Sequence, residues 1–410
     1  MEAGESLVDQ LGGRQMAGFK DFAQYEARTR VVVGRGQIEG AGFEFMKEGA
    51  KRVFVVTDQV IRGTGLIDRV TAGVEDGGLE VAGVFDDVPQ DSATDVVERC
   101  AEEARAAGAD SFLAVGGGSV MDTAKVAAVV FTHGGTVHDY EGLYALPRAE
   151  DGMGEPLPIA PLACIPTTAG TGSEVSMGAV VKDHAAKVKL ELADMPLFPR
   201  LAILDPESTR TLPPAIAAAT GMDAMTHAVE GYVALDWSPH NDATALHALR
   251  LMRENLERAV HEPADDQARG NMLVAASLAI TINLGATHSM SHPCGARYGV
   301  AHGVANAINL PHVVRFNAAG GTDIANRYRD VNEVLGLEVG GSDEEVGDAL
   351  ASHVSELIGS LGLPRRLTEV GVPEEGIPAL VEGAMGDGCT LMNPREPSED
   401  DFTELYRQAL

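Results

Sequence analysis

Five side chains between residues 223 and 302 have the chemistry and spacing of metal ligands: Asp223, His227, His288, His292 and His302. The first two are four positions apart, as are His288 and His292, and residues four apart share one face of an α-helix. One carboxylate with several imidazoles is typical of sites for Fe(II) or Zn(II), not for Ca or Mg. The spacing therefore predicts a transition-metal site. Five candidates exceed a set of four ligands, so one of them is expected to serve another task.

The segment after His292 contains two residues that disfavour helices, Pro293 and Gly295. We expect the helix that carries His288 and His292 to end there. Such a break would let the chain turn, so that His302 approaches the same ion from a different direction.

A glycine-rich segment, GGGSVMDTAK at residues 116–125, follows an apolar run that is typical of a buried strand. Glycines let backbone approach a ligand closely, and a helix that starts there directs free N–H groups at an anion. Gly117, Gly118 and Ser119 are therefore predicted to bind a diphosphate, although such a segment also serves as an ordinary strand-to-helix turn. Asp122 of the same segment is included among the candidate cofactor-binding residues.

Two further segments could contact a nucleotide. Asp58 ends the run RVFVVTD, where a carboxylate can bind an adenosine ribose and favour NAD over NADP. The alternative is that Asp58 caps the next helix. Thr167, Thr168 and Thr171, in CIPTTAGTGSEV, could donate hydrogen bonds to phosphate or amide groups, or simply turn the chain.

The elements that must position these residues differ between the two halves of the chain. Runs of β-branched and apolar residues at 29–34, 52–58, 79–88, 111–119 and 161–168 predict strands, and helical patterns separate them. One such helix spans 92–108, with Ser92 or Asp91 as its cap. This alternation predicts an α/β dinucleotide-binding domain with a mostly parallel sheet. Beyond the segment 201–214 the pattern becomes helical, so we expect domains at 1–205 (α/β) and 206–410 (all-α, metal-binding).

The bulk composition excludes several classes of protein. The chain has 410 residues and a formal net charge of -30, which argues against binding to nucleic acid. This acidity fits either adaptation to high salt or an ordinary acidic enzyme. No apolar run has membrane-spanning length, residues 1–20 are predicted to be an extension without signal-peptide features, and the 4 cysteines are far apart. A cytoplasmic protein without a membrane partner is expected.

Several motifs together resemble the iron-containing (group III) alcohol dehydrogenases, from about residue 25 to the end of the chain. They are GGGSVMDTAK, IPTTAGTGSEV, GMDAMTHAVEGY, HSMSHPCGARYGVAHGVANAINLPHV and NPRE at 393–396. The resemblance implies an NAD-dependent enzyme that transfers a hydride to or from a small alcohol or aldehyde. It implies Fe²⁺ or Zn²⁺ as the metal. A homodimer or larger homo-oligomer is expected.

The resemblance also implies roles for single residues. Asp223, His227, His288 and His302 match the family's metal ligands, and His292 matches a histidine that lines the substrate cleft. Our hypothesis is that His292 relays a proton. The residues that match cofactor-lining positions are Asp58, Gly117, Gly118, Ser119, Thr167, Thr168 and Lys189, the last near the nicotinamide ribose. The chain departs from the family in VPQDSAT (88–94), where Asp91 takes the approximate place of an asparagine.

Two other classes of function would use parts of the same pattern. A dehydroquinate synthase-like or glycerol dehydrogenase-like enzyme would share the same cofactor half. The first of these would need basic residues around a phosphorylated substrate, whereas no lysine follows Lys189 and few arginines flank the histidine motifs. A non-enzymatic metal- or nucleotide-binding module would not need both a diphosphate loop and a four-ligand site.

Overall fold

The computed structural model describes residues 23–149, 154–184, 186, 188–236, 238–281 and 283–410. The predicted extension at 1–20 lies outside these residues. The strands are β1 (Arg30–Val33), β2 (Arg52–Val56), β3 (Glu80–Phe85), β4 (Ser111–Gly116), β5 (Gly142–Leu143), β6 (Leu162–Pro166), β7 (Gly178–Asp183), β8 (Val188–Ala193) and β9 (Leu201–Leu204).

The main sheet has six strands in the order β1-β9-β6-β4-β2-β3, and every neighbouring pair is parallel. Both of its faces are covered, because Val53 and Val55 of β2 pack into one core while Phe54 and Val56 pack into another. A strand that is buried on both faces reads as a continuous apolar run, which is why the sequence predicted these strands well. The expected α/β fold of the first half is confirmed.

Five helices accompany these strands in the described part of the first half. They are α1 (Ala41–Met46), α2 (Gln59–Gly63), α3 (Leu66–Asp76), α4 (Thr94–Ala106) and α5 (Gly118–His133). The predicted cap of α4 is wrong: its N-cap is Ala93, which has no side-chain bond to the helix. Ser92 lies one residue too early and instead accepts a hydrogen bond from Thr123 at 2.5 Å.

A small second sheet, in the order β5-β8-β7, was not predicted. Strands β7 and β8 are antiparallel and pair Lys182 with Lys189. The sequence of this hairpin alternates polar and apolar residues, and one face of it packs into the core of the α/β half. The hairpin adds a flap beside the main sheet that carries Lys189.

After β9 the described chain contains only helices and turns, which confirms the expected all-α half. The helices are α6 (Pro214–Val233), α7 (Pro239–His261), α8 (Asp266–Ala279), α9 (Ala286–Tyr298), α10 (His302–Ala318), α11 (Thr322–Leu335), α12 (Asp343–Ser360), α13 (Ile377–Met385) and α14 (Glu399–Ala409). In the described ranges, none of the helices has the length and apolar character needed to cross a membrane.

The predicted break after His292 is wrong in position. Helix α9 continues through Pro293 and ends only at Gly299, whose φ of 68° is favourable for glycine. Proline removes one hydrogen bond from the helix, and the burial of Met290 and Cys294 on the same helix offsets that loss. The turn at Gly299 then leads directly into α10, which begins at His302.

Candidate metal centre and cofactor site

Helices α6, α9 and α10 bring the predicted metal ligands together. Nε2 of His302 lies 3.4 Å from Oδ1 of Asp223, and Nε2 of His227 lies 4.0 Å from the same oxygen. The rings of His227 and His288 are stacked, with centroids 4.9 Å apart. Asp223, His227 and His288 are buried, and His302 forms the open side of the cluster.

The close approach of α10 to α6 depends on Gly303. A Cβ at this position would collide with the backbone oxygen of Ala219 on α6. The glycine therefore lets the first turn of α10 contact α6, which places His302 beside Asp223.

Burial puts these groups in the protonation states that metal binding requires. It lowers the pKa of His288 well below its ordinary value, and partial burial lowers the pKa of His302. Burial acts to raise the pKa of Asp223, but the neighbouring histidines of the cluster and the bond from Asn306 together outweigh it and lower that pKa. Asp223 thus presents a carboxylate, and His288 and His302 present neutral imidazoles near pH 7, as a divalent cation needs.

The polar atoms of the cluster fit a cation at its centre. Nδ2 of Asn306 lies 2.8 Å from Oδ1 of Asp223, 3.2 Å from Nε2 of His288 and 3.2 Å from Nε2 of His302. One amide has only two protons for these three acceptors. Nδ1 of His227 is buried without a hydrogen-bond partner among the described residues. A metal site requires acceptor atoms that converge on one point, and here the protein has too few hydrogen-bond donors to satisfy them.

The carboxylate of Glu230 holds the helix that carries His288. It accepts hydrogen bonds from the backbone N–H groups of Gly285 at 2.9 Å and Thr287 at 2.6 Å, both at the start of α9. It also bonds Nδ1 of His288 at 2.6 Å. With its Nδ1 proton donated to Glu230, His288 presents Nε2 to the cluster.

Asn393, the first residue of the NPRE motif, supports the same helix end. Its Oδ1 accepts from the backbone N–H of Ala286 at 3.1 Å, and its amide donates to Asn317 at 2.7 Å. A Cβ at Gly285 would lie 2.8 Å from that oxygen, so only glycine fits between Asn393 and Glu230.

His292 lies beside the cluster and has a separate partner. Its ring stacks on that of His302 at 5.4 Å, and its Nδ1 bonds Oδ2 of Asp387 at 2.6 Å. Burial acts to raise the pKa of Asp387, but the interactions with His292 and Cys389 together outweigh it and lower that pKa to about 2. Asp387 is therefore ionised and keeps the Nδ1 proton of His292 in place.

The glycine loop packs closely against the threonines that follow β6. A Cβ at Gly118 would lie 2.8 Å from the side chain of Thr171, and one at Gly117 would lie 3.4 Å from Thr168. Oγ1 of Thr168 is buried and has no partner among the described residues, which fits a donor that awaits a ligand. The structure thus brings together the loop after β4 and the threonines after β6, including Thr167.

The residues around this loop have mostly internal partners. Oγ of Ser119 accepts from the backbone N–H of Asp91 at 3.1 Å, and Asp91 pairs with Lys182 at 2.6 Å. Asp122 is partly buried and accepts from Ser173 Oγ at 2.7 Å and from a backbone N–H of β7 at 3.0 Å. Asp122 therefore braces the loop from behind.

Asp58 and Lys189 both lie in the α/β half and have different local surroundings. Oδ1 of Asp58 caps helix α2 by accepting from the backbone N–H of Ile61 at 2.8 Å, so the capping alternative describes what this oxygen does. Lys189 lies close enough to His302 that its charge helps to lower the pKa of that histidine. The flap of β7 and β8 thus faces the metal cluster.

Lys125 is a buried residue of the glycine motif to which sequence reasoning assigned no role. Its Nζ donates to the backbone oxygens of Ser176 at 2.9 Å and Gly178 at 2.7 Å. It lies three positions after Asp122, so both brace the segment 173–180 from one face of α5. Glu174 is buried next to them.

Sequence reasoning missed the supporting residues for a physical reason. Glu230 follows His227 by three positions and Asn306 follows His302 by four, so helical spacing alone would have flagged both. Asp387 and Asn393 are far from the histidines in sequence, and only folding places them there.

Comparisons with known proteins agree with this geometry. A family model for iron-containing alcohol dehydrogenases matches residues 28–206, and the model for the C-terminal part of that family matches residues 217–410. The chain belongs to the iron-containing alcohol dehydrogenase family. The predicted family and enzyme class, an alcohol dehydrogenase of the iron-containing type, are thereby confirmed, and the NAD-dependent relatives agree with the predicted cofactors. The dehydroquinate synthase-like and non-enzymatic alternatives gain no support.

Individual relatives cover nearly the whole chain. The NAD-dependent methanol dehydrogenase of Bacillus methanolicus is 36% identical over 92% of this chain and 97% of its own length. Lactaldehyde reductase of Escherichia coli K12 is 35% identical over 92% of this chain and 96% of its own. The crystal structure of a 1,3-propanediol oxidoreductase superposes with a TM-score of 0.89 at 33% identity, covering 95% of this chain and 100% of that one.

Glu230→Gln tests how His288 is held. The amide cannot accept from all three donors as the carboxylate does, so His288 should lose its fixed tautomer. We expect the dissociation constant of the metal to rise by about 10- to 100-fold, measured by metal analysis after dialysis against a competing chelator. The control is Glu333→Gln, an exposed glutamate on α11. Metal retention equal to that of the unaltered enzyme would show that Glu230 does not orient the ligand.

Glu174 gives the fold a pH dependence of known sign. Burial raises its pKa from 4.5 to about 7, so between these values the folded state binds a proton that the unfolded state has lost. The stabilisation is fully present below about pH 4.5 and is lost as the pH rises to about 7. Glutamine does not titrate, so Glu174→Gln should not show this loss. The free energy of unfolding of the wild type minus that of the variant should therefore fall by ~3 kcal/mol as the pH rises from 4.5 to about 7. Denaturant unfolding at several pH values measures it, and a difference that stays constant with pH would contradict the assignment.

Proposed function

We propose that this enzyme interconverts a short primary alcohol, diol or hydroxyaldehyde with its carbonyl partner. The observation that carries the proposal is the buried cluster around Asp223, which adjoins both His292 and Lys189 of the cofactor half. The relatives point to the same substrate class, since they are named for methanol, lactaldehyde and 1,3-propanediol. All three are small oxygenated molecules.

We assign the metal to Asp223, His227, His288 and His302. A divalent ion held there supplies a Lewis acid for the substrate oxygen, and NAD(H) supplies the carrier of the hydride. Glu230 keeps the Nε2 atom of His288 directed at the cluster. Burial of Asp223, His227 and His288 excludes water from their side of the site, which strengthens the charge interactions there.

The cofactor is assigned to the carboxyl ends of the parallel strands, which is the usual place for a ligand in such a sheet. The start of α5 offers the backbone N–H groups of Gly118 and Ser119 to a diphosphate. Thr167, Thr168 and Thr171 adjoin these groups, and Thr168 has a hydroxyl without a protein partner among the described residues. Asp58 is assigned to the adenosine ribose through the carboxylate oxygen that does not cap α2. Asp122 supports this site from behind, and Lys189 faces the nicotinamide end.

His292 is assigned to proton transfer. Asp387 holds the Nδ1 proton at 2.6 Å, which leaves Nε2 free to accept or donate a proton on the side of the ring away from Asp387. Its ring stacks on His302, so it lies next to the metal cluster without being needed as a ligand. This division matches the surplus of one residue in the set of five candidates.

We also propose the organisation of the protein. The boundary between domains 1–205 and 206–410 is placed at Asp205, the residue after β9, whose carboxylate accepts from the backbone N–H groups of Ile38 and Glu207.

The protein is assigned to the cytoplasm, because its four cysteines are all free. We propose a homodimer or larger homo-oligomer, which light scattering of the purified protein would measure.

The function is tested by the absorbance of NADH. Metal-replete protein incubated with NAD and a panel of short alcohols, diols and hydroxyaldehydes should produce NADH with at least one of them. Protein treated with a chelator should lose this activity and recover it when Fe²⁺ is restored. If the metal-replete protein forms no NADH with any member of the panel, the proposed substrate class is wrong.

His292→Ala separates the proton relay from metal binding. Removing a general acid–base lowers turnover by about 10²-fold or more, whereas the metal content should stay at that of the unaltered enzyme. Turnover and metal analysis are measured on the same preparation, with His138→Ala, an exposed histidine on the α/β half, as the control. Loss of the metal in His292→Ala would instead make His292 a ligand and overturn the relay.

A further inference from the structure

A second group of potential ligands includes His292, which lies beside the metal centre. It consists of His292, Asp387 and Cys389, whose ligand atoms all lie within 4.8 Å of one another. Nδ1 of His292 and Oδ2 of Asp387 are 2.6 Å apart. The reaction proposed above uses His292 and Asp387 and gives Cys389 no role.

The local chain places the thiol next to the carboxylate. Asp387 caps a short helical turn at Gly388–Met392, and its Oδ1 accepts from the backbone N–H of Cys389 at 2.9 Å. Gly386 and Gly388 flank Asp387, and a Cβ at Gly388 would meet no atom within 4 Å. The turn therefore has free space on one side and can adjust around a bound ion.

Cys389 is the most accessible of the described cysteines. Cys100, Cys164 and Cys294 are completely buried, whereas Cys389 is only partly so. Burial, together with the nearby Asp387, raises the pKa of the Cys389 thiol. The thiol therefore stays protonated until a cation displaces the proton.

The donor set has a clear chemical preference. One thiolate, one imidazole and one carboxylate suit Zn²⁺ and other thiophilic divalent ions, and three protein ligands leave a fourth position for water. At metal–ligand distances of about 2.0 to 2.1 Å, neighbouring ligand atoms of a tetrahedron are roughly 3.3 Å apart. His292 and Asp387 would then have to separate by roughly 0.7 Å, a shift that the glycines beside Asp387 can accommodate.

We propose that His292, Asp387 and Cys389 form a second, inhibitory site for a thiophilic divalent cation such as Zn²⁺. Binding forms bonds from the metal to the Cys389 sulfur, the Asp387 oxygen and the His292 Nδ1. The thiol proton and the Nδ1 proton leave to solvent, and no group is oxidised or reduced. His292 is then fixed to the ion, so the inhibitory effect rests on its proposed role as proton relay, whereas the binding itself does not.

The experiment titrates the iron-loaded enzyme with Cd²⁺ and, separately, with Zn²⁺. We expect one further equivalent of metal to bind while the iron content stays unchanged. Cd²⁺ should produce an ultraviolet thiolate-to-metal charge-transfer band, because Cys389 is the cysteine within reach of the other two ligands. NADH formation should fall as the same site fills, and a chelator should reverse both effects.

Cys389→Ser and a matched control decide the assignment. Cys389→Ser should lose the charge-transfer band and weaken inhibition by Zn²⁺ by at least about tenfold, with turnover in the absence of Zn²⁺ unchanged. The control is Leu391→Ser, an exposed position on the same turn, which should keep both the band and the inhibition.

Three results would overturn the proposal. They are a band that persists in Cys389→Ser, inhibition that is unchanged in that variant, and inhibition that occurs only as iron is released. If the binding and the band behave as expected but Zn²⁺ does not inhibit, the site is an ordinary metal site and its inhibitory role is wrong. If the enzyme shows no dehydrogenase activity at all, the function proposed above fails, and the band in Cys389→Ser still decides whether the site exists.

Discussion

The carboxylate of Glu230 is the interaction on which the metal centre depends. It accepts from two backbone N–H groups at the start of α9 and bonds Nδ1 of His288. These contacts join α6, which carries Asp223 and His227, to the helix that carries His288 and His292. A buried carboxylate is costly unless its hydrogen bonds are satisfied. Here the donors are all protein groups at fixed positions, so the direction in which His288 points is set before any ion binds.

The two halves of the enzyme position their candidate site residues in different ways. The cofactor half places its loops at the carboxyl ends of β2, β4 and β6, where parallel strands expose successive turns along one edge. The helical half packs α6, α9 and α10 closely enough for their side chains to share one ion, which requires Gly285 and Gly303 at the points of closest approach. Lys189, on the β7–β8 flap of the α/β half, lies close enough to His302 for its charge to help lower the pKa of that histidine.

His292 has a different environment from the other histidines of the cluster. His227 and His288 are buried, whereas a quarter of the His292 side chain, 25%, is exposed. Its partner Asp387 comes from a turn that also presents Cys389, so one imidazole belongs to two groups of polar residues. The contact with Asp387 that orients His292 for the proposed proton transfer is thus also part of the proposed site for a thiophilic ion.

The sequence by itself determined the family, the parallel sheet, the helical second half and the five candidate ligands. Local periodicity and motif spacing carry that information, because buried strands and helix faces impose a pattern on neighbouring residues. Two predictions that depend on packing were wrong, because α9 passes through Pro293 and Ala93 is the N-cap of α4, and the hairpin at 178–193 was not predicted. Only the tertiary structure decided that Glu230 bonds His288, that Asp387 bonds His292 and that Cys389 lies beside them. These partners are distant along the chain, and no local pattern specifies which distant groups folding will bring into contact.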